Sequence, residues 1–354
     1  MYEHILITGG AGFVGSALGL ACRAAFPDSR VTALDNLRRR GSELNLPRLQ
    51  AAGARFLHGD LRCPDDLDLD LDPAPGLILE CAADPSVLAP ASVIHSNLLG
   101  TYHCLEAARR WRADVLFLST SRVYPVPLLN QLRFAESETR FHLLADQPLA
   151  GASEHGISEE FPVHGGARSF YGMTKLASEM LLEEYAAVHG LRYLVNRCSV
   201  LTGPWQMGKL DQGVFALWMI AHYFRRPLSY IGFGGTGKQV RDFLHIDDLT
   251  DLVVAQICDF ASYQGQCFNV GGGAGNSLSL VETTALCREI TGNALPLGSV
   301  PEDRPNDVRI YITDARRLRE RARWSPRREA RQTLTDIYQW LRAEESRLVH
   351  ALSV

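Results

Sequence analysis

Residues 7–16 read ITGGAGFVGS. They overlap the end of a strand-like run, residues 2–8, and lead into an apolar stretch with helical periodicity. The glycines at 9, 12 and 15 allow a tight turn, a close approach of backbone to a pyrophosphate, and close packing of the helix on the strand. The free N–H groups that begin such a helix form an anion site. The stretch therefore predicts a βαβ unit that binds a dinucleotide, although its GxxGxxG spacing differs from the GxGxxG of many dehydrogenases.

An acidic residue follows at the distance that this unit requires. Residues 30–34 are typical of a second strand, which ends at Asp35, twenty residues after Gly15. A carboxylate there can bind the adenosine ribose hydroxyls and would repel the extra phosphate of NADP. The basic run 38–40 could hold such a phosphate, but basic runs in loops are more often solvated surface. We therefore expect NAD.

Apolar strand-like runs alternate with helical ones along the first half of the chain. After the first two strands they cover residues 55–58, 77–82, 115–119 and 193–196. This alternation predicts an α/β fold with a doubly wound parallel sheet of the Rossmann type. Ligands bind such sheets at the carboxyl ends of the strands, so Asp60, Ala82-Ala83 and Thr120 become candidate site residues.

The length of 354 residues predicts two lobes, because it exceeds the usual size of a single core. We expect residues 1–200 to form the NAD-binding domain and 201–354 a smaller nucleotide-sugar-binding lobe, partly interleaved with the first. Residues 125–167 show little periodicity and are too long for an ordinary connection. Their apolar side chains predict an ordered segment that covers the substrate: Phe134, Phe141, Leu143, Leu144 and Phe161.

Composition excludes several classes of protein. The net charge of -4 gives no reason to expect a nucleic-acid or membrane surface. No apolar run approaches the length of a membrane span and the opening MYEH lacks a signal pattern, so we expect a cytoplasmic location. The eight scattered cysteines contain no CxxC pair, which favours buried free thiols over disulfides or a metal site.

Tyr171 and Lys175 stand four residues apart in a helix-like stretch, so they project from the same face. A neighbouring positive charge favours the phenolate, which would make the tyrosine a usable acid and base. A packed ring beside a solvated ammonium is the alternative, and this spacing alone would favour it.

Several motifs occur together in one order: the glycine turn, Asp35, Gly59-Asp60, the stretch NLLGT that begins at Asn97, residues 120–124 and the Tyr171/Lys175 pair. In this combination the chain resembles, along nearly its whole length, the extended short-chain dehydrogenase/reductase superfamily of NAD-dependent sugar-nucleotide epimerases and dehydratases. The resemblance implies that Tyr171 is the general acid/base and that Lys175 holds the nicotinamide ribose and lowers the phenol pKa. It implies that Thr120 hydrogen-bonds the reacting hydroxyl, although Ser119 and Ser121 offer the same group.

The same resemblance implies the binding residues. For NAD they are Gly9, Gly12, Phe13, Val14, Gly15, Asp35, Asn36, Arg38, Asp60, Leu61, Ala82, Ala83, Asn97, Tyr171, Lys175 and Cys198. For a nucleotide-sugar substrate they are Arg122, Gln212, Arg241, Arg304 and Asp307. Arginine suits the pyrophosphate because its planar guanidinium donates two parallel hydrogen bonds.

Four further stretches resemble the branch that epimerises CDP-linked deoxyhexoses at C2: residues 136–141, 211–213, 237–242 and 276–280. Ser121-Arg122 stands where the 4,6-dehydratases carry Asp-Glu, which disfavours dehydration. Glu80, residues 83–87 and Pro125 depart from the family pattern near the nicotinamide and the sugar. A UDP-type nucleotide-sugar 4-epimerase therefore stays open, as does a non-catalytic NAD-binding regulator. The resemblance also implies a homodimer through helices at roughly 94–110 and 170–189.

Overall fold

The computed structural model describes residues 1–86, 89–207 and 213–352. Its strands are β1 (His4–Thr8), β2 (Arg30–Asp35), β3 (Arg55–His58), β4 (Leu77–Glu80), β5 (Asp114–Thr120), β6 (Phe134–Glu136), β7 (Phe141–Leu143), β8 (Ala152–Ser153), β9 (Gly156–Ile157), β10 (Tyr193–Cys198), β11 (Val200–Thr202), β12 (Leu228–Ile231), β13 (Val240–His245), β14 (Gln266–Val270), β15 (Ser277–Ser279), β16 (Leu297–Val300) and β17 (Ile310–Tyr311).

The α-helices are α1 (Phe13–Ala25), α2 (Leu46–Ala51), α3 (Pro90–Val93), α4 (Gly100–Trp111), α5 (Val126–Leu129), α6 (Phe170–His189), α7 (Val214–Tyr223), α8 (Ile246–Cys258), α9 (Phe260–Tyr263), α10 (Leu280–Thr291), α11 (Arg316–Ala322), α12 (Ala330–Ala343) and α13 (Glu345–Leu352). A π-helical turn, Ile94–Leu99, joins α3 to α4. No helix in the described part of the chain is both long and apolar enough to span a bilayer.

Seven parallel strands form the large sheet in the order β14-β10-β5-β4-β1-β2-β3. All five residues of β1 are buried, as expected for a parallel strand covered on both faces. The strand order reverses between β1 and β4, which opens a crevice at the carboxyl ends of these strands. The predicted doubly wound fold is confirmed.

Smaller sheets form from residues after 200. β13 lies between β11 and β15 and also pairs with β17, while β12 pairs with β16. The chain returns to the large sheet in β14, and α8 packs against α1. The division at residue 200 therefore stays a prediction.

Residues 125–167 form α5 and two short hairpins, β6 with β7 and β8 with β9. Phe141, Leu143 and Phe161 are buried in a core that also contains Val240, whereas Leu144 is exposed. The segment is thus packed against the second lobe. Its role as a substrate cover stays a prediction, because it contributes no side chain to the cavity described below.

All eight cysteines are free. The expectation that they are buried is wrong for Cys63 and Cys258, which are exposed.

Candidate functional site

A cavity of about 670 Å³ runs along the carboxyl ends of the large sheet. Its lining contains most of the predicted site residues: Gly9, Gly12, Phe13, Val14, Gly15, Asp35, Asn36, Arg38, Asp60, Leu61, Ala82, Ala83, Thr120, Arg122, Tyr171 and Cys198. Five others lie outside the lining: Asn97, Lys175, Arg241, Arg304 and Asp307. Gln212 lies outside the described residues.

The glycine turn has the geometry of a phosphate cradle. Gly9 has φ +63°, a conformation that favours glycine, and a Cβ on Gly15 would lie 2.2 Å from the Gly9 carbonyl oxygen. α1 begins after Gly12 with no side-chain cap, so the first N–H groups of the helix remain available to an anion. These residues fit the pyrophosphate of NAD.

Asp35 lies beside this turn. One carboxylate oxygen accepts from the Ala11 N–H at 3.1 Å and the other from the Leu37 N–H at 2.8 Å. Burial raises the pKa of Asp35, and these N–H groups oppose that rise. The backbone thus orients the carboxylate at the cavity wall, where it can meet a ribose.

Asn36 and Arg38, which follow Asp35 among the predicted NAD-binding residues, bind side chains of other segments. The Asn36 amide donates to Asp60 at 3.0 Å, and Arg62 holds the pKa of the Asp60 carboxyl below its usual range. The Arg38 guanidinium donates to the Ser92 hydroxyl at 3.1 Å. Arg38, one of the three arginines that could hold an NADP phosphate, therefore contacts a side chain on α3.

Tyr171 enters the cavity wall at the start of α6. Ser169 caps this helix by accepting from the Gly172 N–H at 3.2 Å, and the helix occupies the predicted residues 170–189. Thr120, at the end of β5, lines the same cavity, and its hydroxyl accepts from the Arg122 N–H at 3.2 Å. Two hydroxyl groups thus face the space in which a substrate carbinol would react.

The alternatives to Thr120 differ in their surroundings. The Ser119 hydroxyl donates to the Glu179 carboxylate, which fixes it toward α6. Ser121 also lines the cavity. Thr120 remains the candidate because its hydroxyl is within hydrogen-bonding range of the Tyr171 phenol, an interaction that lowers the phenol pKa.

The expected low pKa of Tyr171 is wrong for this structure. Burial raises the pKa of Tyr171 to about 12, and the groups that lower it are Thr120 and Arg122 rather than Lys175. The helical spacing places Tyr171 and Lys175 on one face of α6, and the lysine ammonium lies on the Phe117 ring inside the protein. The spacing alone does not indicate which group the ammonium contacts.

Lys175 is 1% exposed and lies behind the cavity wall. Its Nζ is 3.9 Å from the centroid of the Phe117 ring on β5, a cation–π contact. Burial lowers the pKa of Lys175. The predicted contact of this side chain with a nicotinamide ribose would require the ammonium to turn away from Phe117.

Asn97 supports the loop that follows β4. Its amide oxygen accepts from the Asp84 N–H at 2.7 Å, and its amide nitrogen donates to the Asp84 carbonyl at 3.0 Å and to the Thr174 hydroxyl at 3.2 Å. Asp84 lines the cavity and Thr174 precedes Lys175 on α6. Asn97 therefore connects the loop after β4 to the helix that carries Tyr171 and Lys175.

The predicted pyrophosphate arginines lie together at the second-lobe side. Arg241 on β13 forms a 2.7 Å ion pair with Asp307, and Arg304 is exposed on the same loop as Asp307. The Arg122 guanidinium donates to the Asn306 carbonyl at 3.0 Å. Arg122 thereby connects the cavity to the arginine group.

The second lobe also supplies lining residues that the sequence analysis missed: Trp205, Gln206 and Met207. The Arg39 guanidinium donates to the Met207 carbonyl at 2.5 Å, and the Arg48 guanidinium lies 4.0 Å from the centroid of the Trp205 ring. In the sequence, the local sign of these lining residues is the Gly203-Pro204 turn after β11. That turn indicates a bend in the chain and does not indicate a contact with the other lobe.

Comparisons with known proteins agree with this architecture. The model of the NAD dependent epimerase/dehydratase family matches residues 5–271. CDP-paratose 2-epimerase of Salmonella typhi is 31% identical over 350 residues, 95% of this chain and 98% of that protein. dTDP-glucose 4,6-dehydratase of Mycolicibacterium smegmatis is 29% identical over 352 residues, 97% of this chain and 94% of that protein.

A solved structure shows the same fold. UDP-glucuronic acid 4-epimerase of Bacillus cereus, in complex with UDP-glucuronic acid and NAD, superposes with a TM-score of 0.77 at 22% identity, over 96% of this chain and 99% of that one. The family model covers more than half of the chain and the Salmonella protein almost all of it. This chain is a member of the NAD dependent epimerase/dehydratase family, and its cofactor is NAD.

Proposed function

We propose that this protein inverts C2 of the sugar in a nucleotide diphosphate sugar, with a CDP-linked deoxyhexose as substrate, as CDP-tyvelose (CDP-paratose) 2-epimerase does. The observation that carries the proposal is the meeting of Thr120, Tyr171 and Arg122 in the cavity that the glycine turn opens. The near full-length similarity to CDP-paratose 2-epimerase of Salmonella typhi supports C2 as the position. Ser121-Arg122 supports epimerisation over dehydration, because neither side chain is a carboxylic acid able to protonate a leaving hydroxyl.

Separate residues would bind the cofactor, transfer the proton and orient the reacting oxygen. Gly9, Gly15 and Asp35 would hold NAD, which supplies a hydride acceptor and donor for the sugar carbon. The Tyr171 phenolate would accept the proton of the C2 hydroxyl as hydride leaves C2 for the coenzyme, which gives a 2-keto sugar. Once the other face of the ketone is presented, hydride would return to C2 and the Tyr171 phenol would return the proton to the oxygen. Thr120 donates a hydrogen bond to the reacting oxygen. Net oxidation is zero.

Tyr171 must lose its phenolic proton before it can act as the base in this cycle. Burial raises the pKa of the phenol to about 12, although Thr120 and Arg122 lower it, so the phenol is protonated at neutral pH in this structure. Arg122, Arg241 and Arg304 would bind the diphosphate, so the sugar can rotate about a fixed anchor between the two half-reactions.

The test is a panel of CDP-, UDP-, GDP- and dTDP-sugars incubated with the enzyme and NAD in deuterated water and followed by NMR. We expect inversion at C2 of a CDP-deoxyhexose, with no deuterium at C2, because a hydride held by the cofactor does not exchange with solvent. Inversion at C4 would replace this proposal with the UDP-type 4-epimerase. Loss of water with deuterium entering the carbon chain would indicate a dehydratase, and absence of turnover with every sugar would favour the non-catalytic regulator.

We further propose a homodimer that pairs α4 and α6 with their counterparts. Six large apolar side chains on these two helices, or on the turn before α4, are exposed: Leu99, Tyr102, Phe170, Met173, Met180 and Val188. The Tyr185 hydroxyl donates to Glu106 at 2.6 Å, which holds the two helices side by side. Of the apolar residues at helical spacing on α6, Leu176, Leu181 and Tyr185 are half-buried against the core, so Met180 at 60% exposure is the candidate contact.

We expect Met180→Glu to convert the dimer to a monomer in sedimentation velocity, because an interface would then have to bury an unpaired carboxylate. Val349→Glu on α13 is the matched control, since Val349 is also exposed but lies on another face of the chain. A wild-type protein that sediments as a monomer, or a Met180→Glu dimer as stable as the wild type, would contradict this assignment.

A further inference from the structure

Glu80 is a buried carboxylate that the proposed reaction does not use. It ends β4, is 1% exposed, and accepts from the Thr101 hydroxyl at 2.5 Å. Ser178 on α6 donates to that same hydroxyl at 3.1 Å. The second carboxylate oxygen, Oε2, has no hydrogen-bond partner within the described ranges. An ionised carboxylate in this position needs a nearby positive charge, because burial without one is costly.

The register of the sheet brings that charge to the same place. Glu80 on β4 lies opposite Phe117 on β5, so the two side chains project from one face of the sheet. The Lys175 ammonium lies on the Phe117 ring. Carboxylate and ammonium therefore share one dry compartment behind the cavity wall, bounded by α4 and α6.

Other ionisable groups around Lys175 are already accounted for. Three thiols and one carboxylate also face it: Cys81, Cys104, Cys198 and Glu179. Burial raises the pKa of each thiol, so all three are uncharged at neutral pH. Glu179 is bound by Arg197 at 2.7 Å. Among the described residues, Glu80 is the carboxylate left to balance Lys175.

We propose that Glu80 is the counter-ion of Lys175 and a positioning residue for it, keeping the ammonium charged inside the protein until it turns toward the cofactor. This inference rests on the proposed role of Lys175 at the nicotinamide ribose. Two electrostatic effects agree with it: Glu80 is the group that most opposes the burial-lowered pKa of Lys175, and Lys175 is the group that most opposes the burial-raised pKa of Glu80.

Glu80→Gln tests the proposal, because the amide keeps an oxygen for Thr101 and removes the charge. Dissociation constants of NAD+ and NADH are measured by titration from neutral to alkaline pH. Without Glu80, the largest effect that opposes the lowering of the Lys175 pKa by burial is gone, so the affinity that depends on the charge of Lys175 is lost at lower pH. We expect the pH profile of binding to shift down by about one unit, or about tenfold weaker binding in that window.

Ser178→Ala is the matched control, since it removes a neighbouring hydrogen bond to Thr101 and keeps the Glu80 carboxylate with its own bond from Thr101. We expect its profile to coincide with that of the wild type. A Glu80→Gln profile that also coincides with the wild type would overturn the counter-ion role. Lys175→Met distinguishes an error in the role of Glu80 from an error in the proposed role of Lys175. If Lys175→Met binds NAD+ and NADH like the wild type at every pH, Lys175 does not hold the ribose.

A stability cycle keeps the proposal testable if a single variant folds poorly. Lys175→Met leaves Glu80 without a counter-charge, so adding Glu80→Gln to it should raise the unfolding midpoint in denaturant. The same change in the wild-type background should lower it. Effects of equal sign in the two backgrounds would overturn the pairing, because coupled residues show a non-additive cycle.

Discussion

Tyr171→Phe should lower turnover of the true substrate by about 10²- to 10⁴-fold, the range that general acid–base catalysis typically contributes. The variant keeps the ring and removes only the phenolic hydroxyl in the cavity wall. NAD affinity should change much less than turnover, because the variant removes one of the predicted NAD contacts and leaves the glycine turn and Asp35 untouched. Initial rates and NAD titrations on the same preparation give both quantities.

Tyr338→Phe is the matched control for the loss of a hydroxyl. Tyr338 is half-buried on α12 in the second lobe and does not line the cavity. Its variant should turn over like the wild type. Full activity in Tyr171→Phe would remove the acid/base role, whereas equal losses in both variants would point to a general effect on folding.

Arg197→Met should lower the free energy of unfolding by about 3–5 kcal/mol, the usual cost of leaving one charge of a buried pair without its partner. The Arg197 Nε contacts both Glu179 carboxylate oxygens at 3.1 Å, and Nη2 contacts one of them at 2.7 Å. Both side chains are buried, and the pair fastens α6 to β10. Denaturant unfolding monitored by circular dichroism measures the loss.

The double variant Arg197→Met/Glu179→Met should recover most of this stability, because two apolar side chains leave no charge stranded. Arg331→Met is the control for a surface pair. Arg331 contacts Glu289 at 2.8 Å, but both side chains are more than half exposed, so its loss should change stability little. A double variant as unstable as Arg197→Met alone would show that packing, and not the stranded carboxylate, causes the loss.

The parts of the fold that depend on local pattern were predictable from sequence. The glycine turn, Asp35 and the strand ends needed only spacing and apolar runs, and the structure confirms the parallel sheet they imply. The helix that the family resemblance implies at roughly 170–189 is α6, and the structure shows local signals at its two ends, a Ser169 cap and Gly190. Local signals of this kind are set by residues within a few positions of one another.

The electrostatics of the site could not be predicted in the same way. The Lys175 ammonium lies on the ring of Phe117 on a distant strand, a contact that no local pattern indicates. The prediction of a low pKa for Tyr171 was wrong because burial of the phenol outweighs the groups near it that lower the pKa. The same applies to Trp205 and Met207, which reach the cavity only through contacts between distant parts of the chain.

The basic run at 38–40 fastens the loop after β2 to the rest of the chain. Arg39 is bound to the Met207 carbonyl and Arg40 to the His350 carbonyl on α13. Arg39 and Met207 both line the cavity, so this contact joins two sides of the space that the glycine turn opens. We therefore expect the contact to slow the escape of bound NAD, so that one coenzyme molecule would serve many catalytic cycles.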